Sequence, residues 1–140
     1  MPKVEIGYAR GAFDLFHVGH LNIIRQAREN CDHLIVGVVS DDVLARTKRL
    51  TPVVPLHERL EIVRAISGVD EAIVDDADDV LETWRTTPFT RYFKGDDWRG
   101  TTRGLELEAA FGHIGVEVVY FPYTVTTSST RLRQALEKLA

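Results

Sequence analysis

Apolar runs rich in β-branched residues alternate with longer segments of helical period along this chain. Val4–Ala9 and Leu34–Val39 are typical of strands, and Val18–Asn30 between them is typical of an amphipathic helix. Further strands are predicted at Val69–Val74, Arg91–Lys94 and Val116–Phe121, and further helices at Leu56–Ile66, Asp79–Trp84, Leu105–Phe111 and Thr130–Leu139. Five such alternations predict an α/β fold, a Rossmann-like doubly wound, mostly parallel five-stranded sheet with helices on both faces.

Length and composition predict one ordinary globular domain. The 140 residues contain no linker or repeat, and their 44% apolar and 27% charged residues are typical of a folded chain, so we expect a single domain over 1–140. One cysteine, Cys31, excludes a disulfide framework and a thiol-rich zinc site. No run approaches the roughly 20 apolar residues of a membrane span and no signal peptide opens the chain. We therefore expect a cytoplasmic protein without a membrane partner.

The charge balance excludes a basic nucleic-acid binder. Seventeen Lys and Arg oppose 21 Asp and Glu, which gives a formal net charge of −4. We expect no nucleic-acid partner, because such proteins carry a basic footprint. The excess negative charge is concentrated in one acidic stretch, which we interpret as a solvated face rather than a metal or partner site: Glu71, Asp75, Asp76, Asp78, Asp79 and Glu82.

The turn after the first strand is where chemistry is expected, because ligands of wound sheets bind beyond the carboxyl ends of the strands. It lacks both common glycine-rich phosphate loops. His17 and His20 lie three apart at a helix start and share one face. Gly19 between them leaves the backbone accessible, and the helix N-terminus adds partial positive charge, so the turn suits a polyphosphate. The alternatives are metal ligation and ordinary helix-start residues.

The segment Gly11-x-Phe13-Asp14-x-x-His17-x-Gly19-His20 resembles the His-x-Gly-His signature of the nucleotidylyltransferase superfamily. The resemblance is to its cytidylyltransferase branch, typified by glycerol-3-phosphate cytidylyltransferase, and extends from about residue 5 to residue 135. Other matching segments follow in the family's order: Val39–Asp42, Lys48, Glu58–Arg59, Gly95–Trp98, and Tyr123–Thr130 where the family has Arg-Thr-x-Gly-Ile-Ser-Thr-Thr.

The resemblance implies an enzyme that transfers CMP from CTP to a small phospho-alcohol or phosphonate and releases pyrophosphate. It also implies Mg²⁺ as cofactor and a homodimer. The implied catalytic residues are His17, His20, Lys48 and Arg59. The implied nucleotide-binding residues are Gly11, Ala12, Phe13, Gly19, Asp97, Trp98, Thr124, Ser128, Ser129 and Thr130; Asp41 and Tyr123 would bind the acceptor, and Asp14 would bind or orient the metal.

Several of these roles have a structural alternative. Asp14 is suited to capping the turn backbone. Lys48 would clamp phosphate from a mobile loop bounded by Pro52 and Pro55, and its alternative is a merely solvated cation. Arg59 is suited to a surface ion pair with Glu58. The hydroxyls of 128–130 are suited to capping the last helix, a role compatible with ligand binding. Asp97 could accept the exocyclic amine of cytosine, while an indole at 98 could wall that pocket or close the core.

One departure from the family pattern concerns the acceptor. Tyr123 stands where the family has arginine, and Thr126 replaces the motif glycine. Loss of a guanidinium removes a bidentate phosphate contact, so another cation must cover that charge or the acceptor differs. The alternatives to a cytidylyltransferase are an adenylyltransferase acting on a sugar phosphate and a non-catalytic nucleotide-binding module. A wound flavoprotein is disfavoured by the histidine pair.

Overall fold

The described residues form five strands and six helices, which alternate except where two helices follow each other after the second strand. The structure, a computed structural model, describes residues 3–123 and 127–139. The strands are β1 (Ile6–Gly11), β2 (His33–Val39), β3 (Glu71–Asp75), β4 (Arg91–Gly95) and β5 (Glu117–Phe121). The helices are α1 (Val18–Glu29), α2 (Asp41–Lys48), α3 (Leu56–Arg64), α4 (Val80–Thr86), α5 (Thr102–Gly112) and α6 (Ser129–Leu139), with a 3₁₀ turn at Asp96–Trp98.

All four strand pairings are parallel, in the order β3-β2-β1-β4-β5. The chain winds outward from β1 to β3, then returns to build β4 and β5 on the other side of β1. The direction of winding therefore reverses between β1 and β4, where a ligand crevice is expected at the carboxyl ends of the strands. The predicted fold class is confirmed.

Each face of the sheet has its own core. On one face, Ile24 of α1 and Leu60 of α3 pack with Phe93 of β4. On the other, Phe111 of α5 packs with Tyr8 of β1 and with residues of α4. Helices thus cover both faces of the sheet, as predicted. In the part of the chain that the structure describes, no helix has the length and apolar character needed to span a bilayer.

Helix α2 was not among the predicted elements, and Lys48 is its last residue rather than part of a mobile loop. Ser40 caps the helix, because its Oγ accepts the amide of Val43 at 3.3 Å. Arg49 then ends it in the left-handed conformation, with φ 51°. Capping and burial of two apolar residues in α2, Val43 and Leu44, outweigh the run of charged residues that favoured a loop.

The acidic stretch is a solvated face except at one residue. Asp75 is only 2% exposed, and its carboxylate accepts hydrogen bonds from Tyr8 Oη (2.5 Å), Arg10 Nε (2.9 Å) and Thr83 Oγ1. Tyr8 reaches Asp75 by crossing β2 above Gly37, where a Cβ would lie 1.7 Å from the phenol oxygen. The prediction is therefore wrong for Asp75, which anchors Arg10 at the floor of the crevice.

Candidate active site

His17 and His20 both direct their Nε2 atom towards Ser129 Oγ. His17 is the N-cap of α1, and its Nδ1 accepts the amide of Gly19 at 3.0 Å. His20 Nδ1 accepts the amide of His17 at 3.2 Å. Because each Nδ1 is an acceptor, the proton of each neutral ring is assigned to Nε2. The rings stack with centroids 4.0 Å apart, and both Nε2 atoms lie within 3.5 Å of Ser129 Oγ.

Both imidazoles favour the neutral form. Burial lowers the pKa of His17. Burial, followed by the neighbouring His17, lowers the pKa of His20 to about 4, although the Asp14 carboxylate opposes this shift. At neutral pH the pair therefore offers two N–H donors. The metal-ligand alternative is not supported, because residues 3–123 and 127–139 contain no group of three metal-ligating side chains.

The start of α6 lies against the histidine pair. Ser128 Oγ accepts the amide of Arg131 at 3.1 Å and so caps the helix. Ser129 Oγ donates to the carbonyl of Asp14 at 2.7 Å, which leaves its lone pairs for the two Nε2–H groups. The amino ends of α1 and α6 thus meet here. This arrangement favours anions, because both helix dipoles are positive at that end.

Arg133 is a site residue that the sequence reasoning missed. It lies one turn after Ser129 on α6, and its Nη1 is buried without a hydrogen-bond partner among the described residues. The Asp14 Oδ2 atom lies 3.9 Å from that nitrogen. An unsatisfied buried N–H is costly, so this group is suited to a ligand oxygen. The spacing of four from Ser129, which places both on one helix face, was the available signal.

Asp14 holds the backbone of the loop before α3. Its side chain is 1% exposed, and its two oxygens accept the amides of Val53 and Val54, both at 2.9 Å. Asp14 thus caps backbone amides, which was the alternative to its role at a metal. With both oxygens engaged and the carboxylate buried, Asp14 does not present an open metal site, so the residues described here do not fit a protein-held magnesium ion.

Arg59 does not reach the site directly. The Arg59 side chain is 0% exposed and donates to the carbonyls of Ala12 (2.6 Å), Val39 (2.9 Å) and Val54 (2.9 Å). It also pairs with the half-exposed carboxylate of Asp41. The predicted phosphate contact of Arg59 is therefore wrong, because its side chain is fully buried and bonded to protein oxygens. The acceptor contact of Asp41, whose carboxylate is half exposed, stays a prediction. Both residues tie the ends of β1 and β2 to the loop before α3.

The histidine cavity, about 390 Å³, gathers most of the predicted nucleotide-binding residues. It is open at the carboxyl ends of β1 and β4, as the winding of the sheet predicts. Thr124 lies outside the described residues. The histidine cavity is lined by these predicted residues: Gly11, Ala12, Phe13, Asp14, His17, Gly19, His20, Lys48, Tyr123, Ser128, Ser129 and Thr130. Arg133, which was not predicted, lines it as well.

Asp97 and Trp98 line a second cavity and not the first. This tryptophan cavity has a volume of about 480 Å³ and an apolar wall from α4 and α5. Trp98 also packs against the core of that sheet face, so its structural alternative holds as well. The two cavities share Arg10, Lys48 and Lys94 in their walls, and they are therefore adjacent. The structure thus separates Asp97 and Trp98 from the histidine pair.

Tyr123 lies where the two cavities meet. Its hydroxyl donates to Asp97 Oδ1 at 3.1 Å. Burial and the Asp97 carboxylate raise the pKa of Tyr123 to about 12, so it stays a neutral donor. Its ring covers Gly95, where a Cβ would lie 2.4 Å from the Tyr123 ring. Tyr123 therefore orients Asp97 and supplies no positive charge, and Arg133 is a cation that lines the same histidine cavity.

Comparison with known proteins identifies the same fold and family. The family model described as cytidylyltransferase-like matches residues 8–135. Ethanolamine-phosphate cytidylyltransferase of Arabidopsis thaliana is 43% identical over 95 residues, 64% of this chain and 22% of its own length. The bifunctional protein HldE of Hyphomonas neptunium is 34% identical over 92% of this chain and 26% of its own length. FAD synthase of Thermococcus onnurineus is 30% identical over 94% of this chain and 88% of its own length.

The solved structures agree on the fold. The lipopolysaccharide core biosynthesis protein of Thermoplasma volcanium matches with a TM-score of 0.72 at 24% identity, over 87% of this chain and 98% of that one. Pantoate-beta-alanine ligase of Francisella tularensis matches with a TM-score of 0.64 at 13% identity, over 96% of this chain and 69% of that one. The chain spans about a quarter of the length of the first curated relatives it matches. By its match over residues 8–135, the chain belongs to the cytidylyltransferase-like family.

Proposed function

We propose that this protein is a nucleotidyltransferase that transfers CMP from CTP to a small acceptor bearing a phosphate or phosphonate and releases pyrophosphate. The observation that carries the proposal is the convergence of two Nε2–H groups and Arg133 Nη1 in one cavity at two helix N-termini. Among the described residues, that Arg133 nitrogen has no hydrogen-bond partner. Such donors are suited to a triphosphate. The choice of CTP is supported by family membership and by the plant relative.

The reaction follows from the chemistry of these groups. An oxygen of the acceptor's phosphate or phosphonate attacks the α-phosphorus, and a new P–O bond forms. The bond from that phosphorus to the bridging oxygen breaks, and the electron pair leaves with pyrophosphate. The nucleophile is already anionic and needs no general base. His17, His20 and Arg133 would stabilise the negative charge that grows on the phosphate oxygens, so positioning and electrostatics supply the acceleration.

The two cavities suit the two substrates. With the triphosphate on the histidine pair, the nucleophile must approach opposite the departing pyrophosphate. The tryptophan cavity lies beside the histidine cavity and suits the acceptor. Lys48, Lys94 and Arg10 line both cavities, so they lie where the two anionic reactants would meet. Cations there reduce the repulsion between the reactants.

Two implied partners remain predictions. Magnesium would be held mainly by the oxygens of the nucleotide, since Asp14 is engaged by two backbone amides. When bound, the ion would neutralise phosphate charge. The homodimer that the family resemblance implies is checked by sedimentation velocity.

A second candidate is adenylyl transfer. Relatives named FAD synthase match 92–98% of this chain and are only slightly longer, which supports ATP as nucleotide and a flavin phosphate as acceptor. A sugar phosphate is the further acceptor to test with ATP.

The test is a matrix of pyrophosphate release. The purified protein, with Mg²⁺, is incubated with each of the four nucleoside triphosphates and with glycerol 3-phosphate, ethanolamine phosphate, 2-hydroxyethylphosphonate, flavin mononucleotide or a sugar phosphate. We expect release only when CTP is paired with a small phosphate or phosphonate. Release that requires ATP and does not occur with CTP would favour the second candidate. Tight nucleotide binding without release in any combination would instead identify a binding module and contradict the proposal.

A further inference from the structure

The tryptophan cavity is lined by more cations than carboxylates, and one of these cations, Arg103, does not line the histidine cavity. Lys94 Nζ lies 4.0 Å from the centroid of the Trp98 ring, and Arg103 Cζ lies 4.1 Å from it. Both cations line the cavity, whereas Arg103 and Trp98 do not line the histidine cavity. The indole therefore already interacts through its π system with two cations of the protein itself.

The carboxylates of this cavity are all engaged. Asp97 accepts the Tyr123 hydroxyl and lies 3.7 Å from Lys94 Nζ. Asp78 pairs with Arg46 at 2.8 Å. Asp79 caps α4 by accepting the amide of Glu82 at 3.0 Å. Each of these carboxylates is thus already partly compensated within the protein.

The cations are less completely compensated. Among the described residues, Arg103 has no carboxylate within ion-pair distance, and its guanidinium lies over the Trp98 ring. Burial lowers the pKa of Lys94, and the neighbouring Lys48 and Arg103 lower it further against the opposing effect of Asp97. Lys48 and Arg103 thus each lie close enough to Lys94 to repel its ammonium group. A negative group bound between them would relieve that repulsion.

We propose that Arg103, beside Trp98, is a specificity-determining residue that selects an acceptor whose end remote from the nucleophilic phosphate or phosphonate is negatively charged. The proposal rests on the proposed function and names the substrate class of the same site. An ammonium end group is disfavoured, because the indole and the three carboxylates already have partners. The substrate of the 43% identical relative, ethanolamine phosphate, carries such an ammonium group.

The test compares three acceptors that differ mainly in one end group. Phosphoglycolate carries a carboxylate, ethylene glycol monophosphate a hydroxyl, and ethanolamine phosphate an ammonium. With CTP, or with whichever nucleotide supports release, we expect kcat/KM for phosphoglycolate to exceed that for ethanolamine phosphate roughly a hundredfold, since like charges placed together cost several kcal/mol. The hydroxyl compound should fall between them.

Variants of Arg103 assign the preference to this residue. Arg103→Gln should reduce the ratio of the two kcat/KM values by about tenfold, and Arg103→Lys should keep most of it. Arg99→Gln is the matched control: Arg99 is an exposed arginine of the same segment that lies near Tyr120 and lines neither cavity. It should leave the ratio unchanged.

Two results would overturn the proposal. One is equal or better use of ethanolamine phosphate by the unaltered protein, and the other is an Arg103→Gln variant with an unchanged ratio. Both results can be told apart from a failure of the proposed function, in which no acceptor leads to pyrophosphate release with any nucleotide. In that case the inference about Arg103 fails as well.

Discussion

At the scale of single residues, the site depends on where two imidazole protons lie. The backbone amides of His17 and Gly19 occupy the two Nδ1 atoms, which leaves both Nε2–H groups directed to one point. Two neutral donors held in this way need no reorganisation when charge grows on a phosphate oxygen.

The first prediction concerns His17. His17→Ala removes one of these donors and should lower kcat by about a hundredfold or more, the effect of losing one oxyanion-type donor. Pyrophosphate release at saturating substrates measures it. His57→Ala, at a side chain that is 80% exposed on α3, is the control and should retain full activity. Near-normal turnover of the His17 variant would end its assignment.

The second prediction concerns pH and stability. The pKa of His20 falls from 6.5 to about 4 on folding, so between these values the unfolded chain binds a proton that the folded chain does not. Stability from this group is present above pH 6.5 and is lost as the pH falls towards 4. We expect Tm to decrease across that window. A His20→Gln variant should show a shallower decrease, and equal slopes for the two proteins would contradict the assignment.

The third prediction concerns Arg133. Arg133→Gln removes a charge-assisted donor from the histidine cavity, an interaction of about 1.5–3 kcal/mol, and should raise the Kd for the nucleoside triphosphate roughly ten- to a hundredfold. Titration calorimetry measures it. Lys138→Gln removes the same charge from the exposed far end of α6 and should bind normally. Equal affinities of the two variants would remove Arg133 from the site.

The sequence predicted the residues that face the cavity better than the residues that hold the surrounding backbone in place. His17, His20 and Ser129 were predicted because their spacing at helix starts is a local property of the chain. Arg59 and Asp14 were misassigned because a motif names a residue without showing which way its side chain lies. Each binds backbone groups that are distant in sequence, and only the fold brings those groups together.

At the scale of elements, one buried guanidinium joins three segments of the chain. Arg59 of α3 holds the carbonyls of Ala12 after β1, Val39 at the end of β2 and Val54 before α3. These hydrogen bonds fix the turn that carries the histidine pair relative to the end of β2. Arg59 thus acts on the site through the backbone.

The fourth prediction follows from this arrangement. Arg59→Met leaves one buried carbonyl, two partly buried carbonyls and the Asp41 carboxylate without their donor, and should lower the free energy of unfolding by about 3–5 kcal/mol. Urea denaturation measures it. Arg59→Lys should recover little, because an ammonium lacks the planar fork that spans these partners. Arg64→Met, at an exposed position of the same helix, is the control, and equal losses in both would contradict the role.

Elements with strong periodicity were predicted and the one with mixed signals was not. β2 is a continuous apolar run, and it was found within one residue of its prediction. Helix α2 was missed because Arg46, Lys48 and Arg49 suggested a loop, although Ser40 followed by two aspartates was a helix-start signal.

At the scale of the whole molecule, the strand order reverses between β1 and β4, and two adjacent cavities lie at this reversal. The alternation of elements predicted this sheet and therefore the edge at which ligands bind. It could not predict the division into two cavities, because that depends on which side chains meet across the crevice. Trp98 is the clearest example, since it follows β4 directly yet lines only the tryptophan cavity.

The central claim is that the Nε2–H groups of His17 and His20 hold the triphosphate. Imidazole ¹H–¹⁵N NMR tests it directly, because the chain has five histidines and three of them, His33, His57 and His113, serve as internal references. On titration with CTP, the Nε2–H signals of His17 and His20 should move downfield and saturate, while cytidine leaves them in place. Signals from these two rings that stay unchanged while CTP binds would contradict the account.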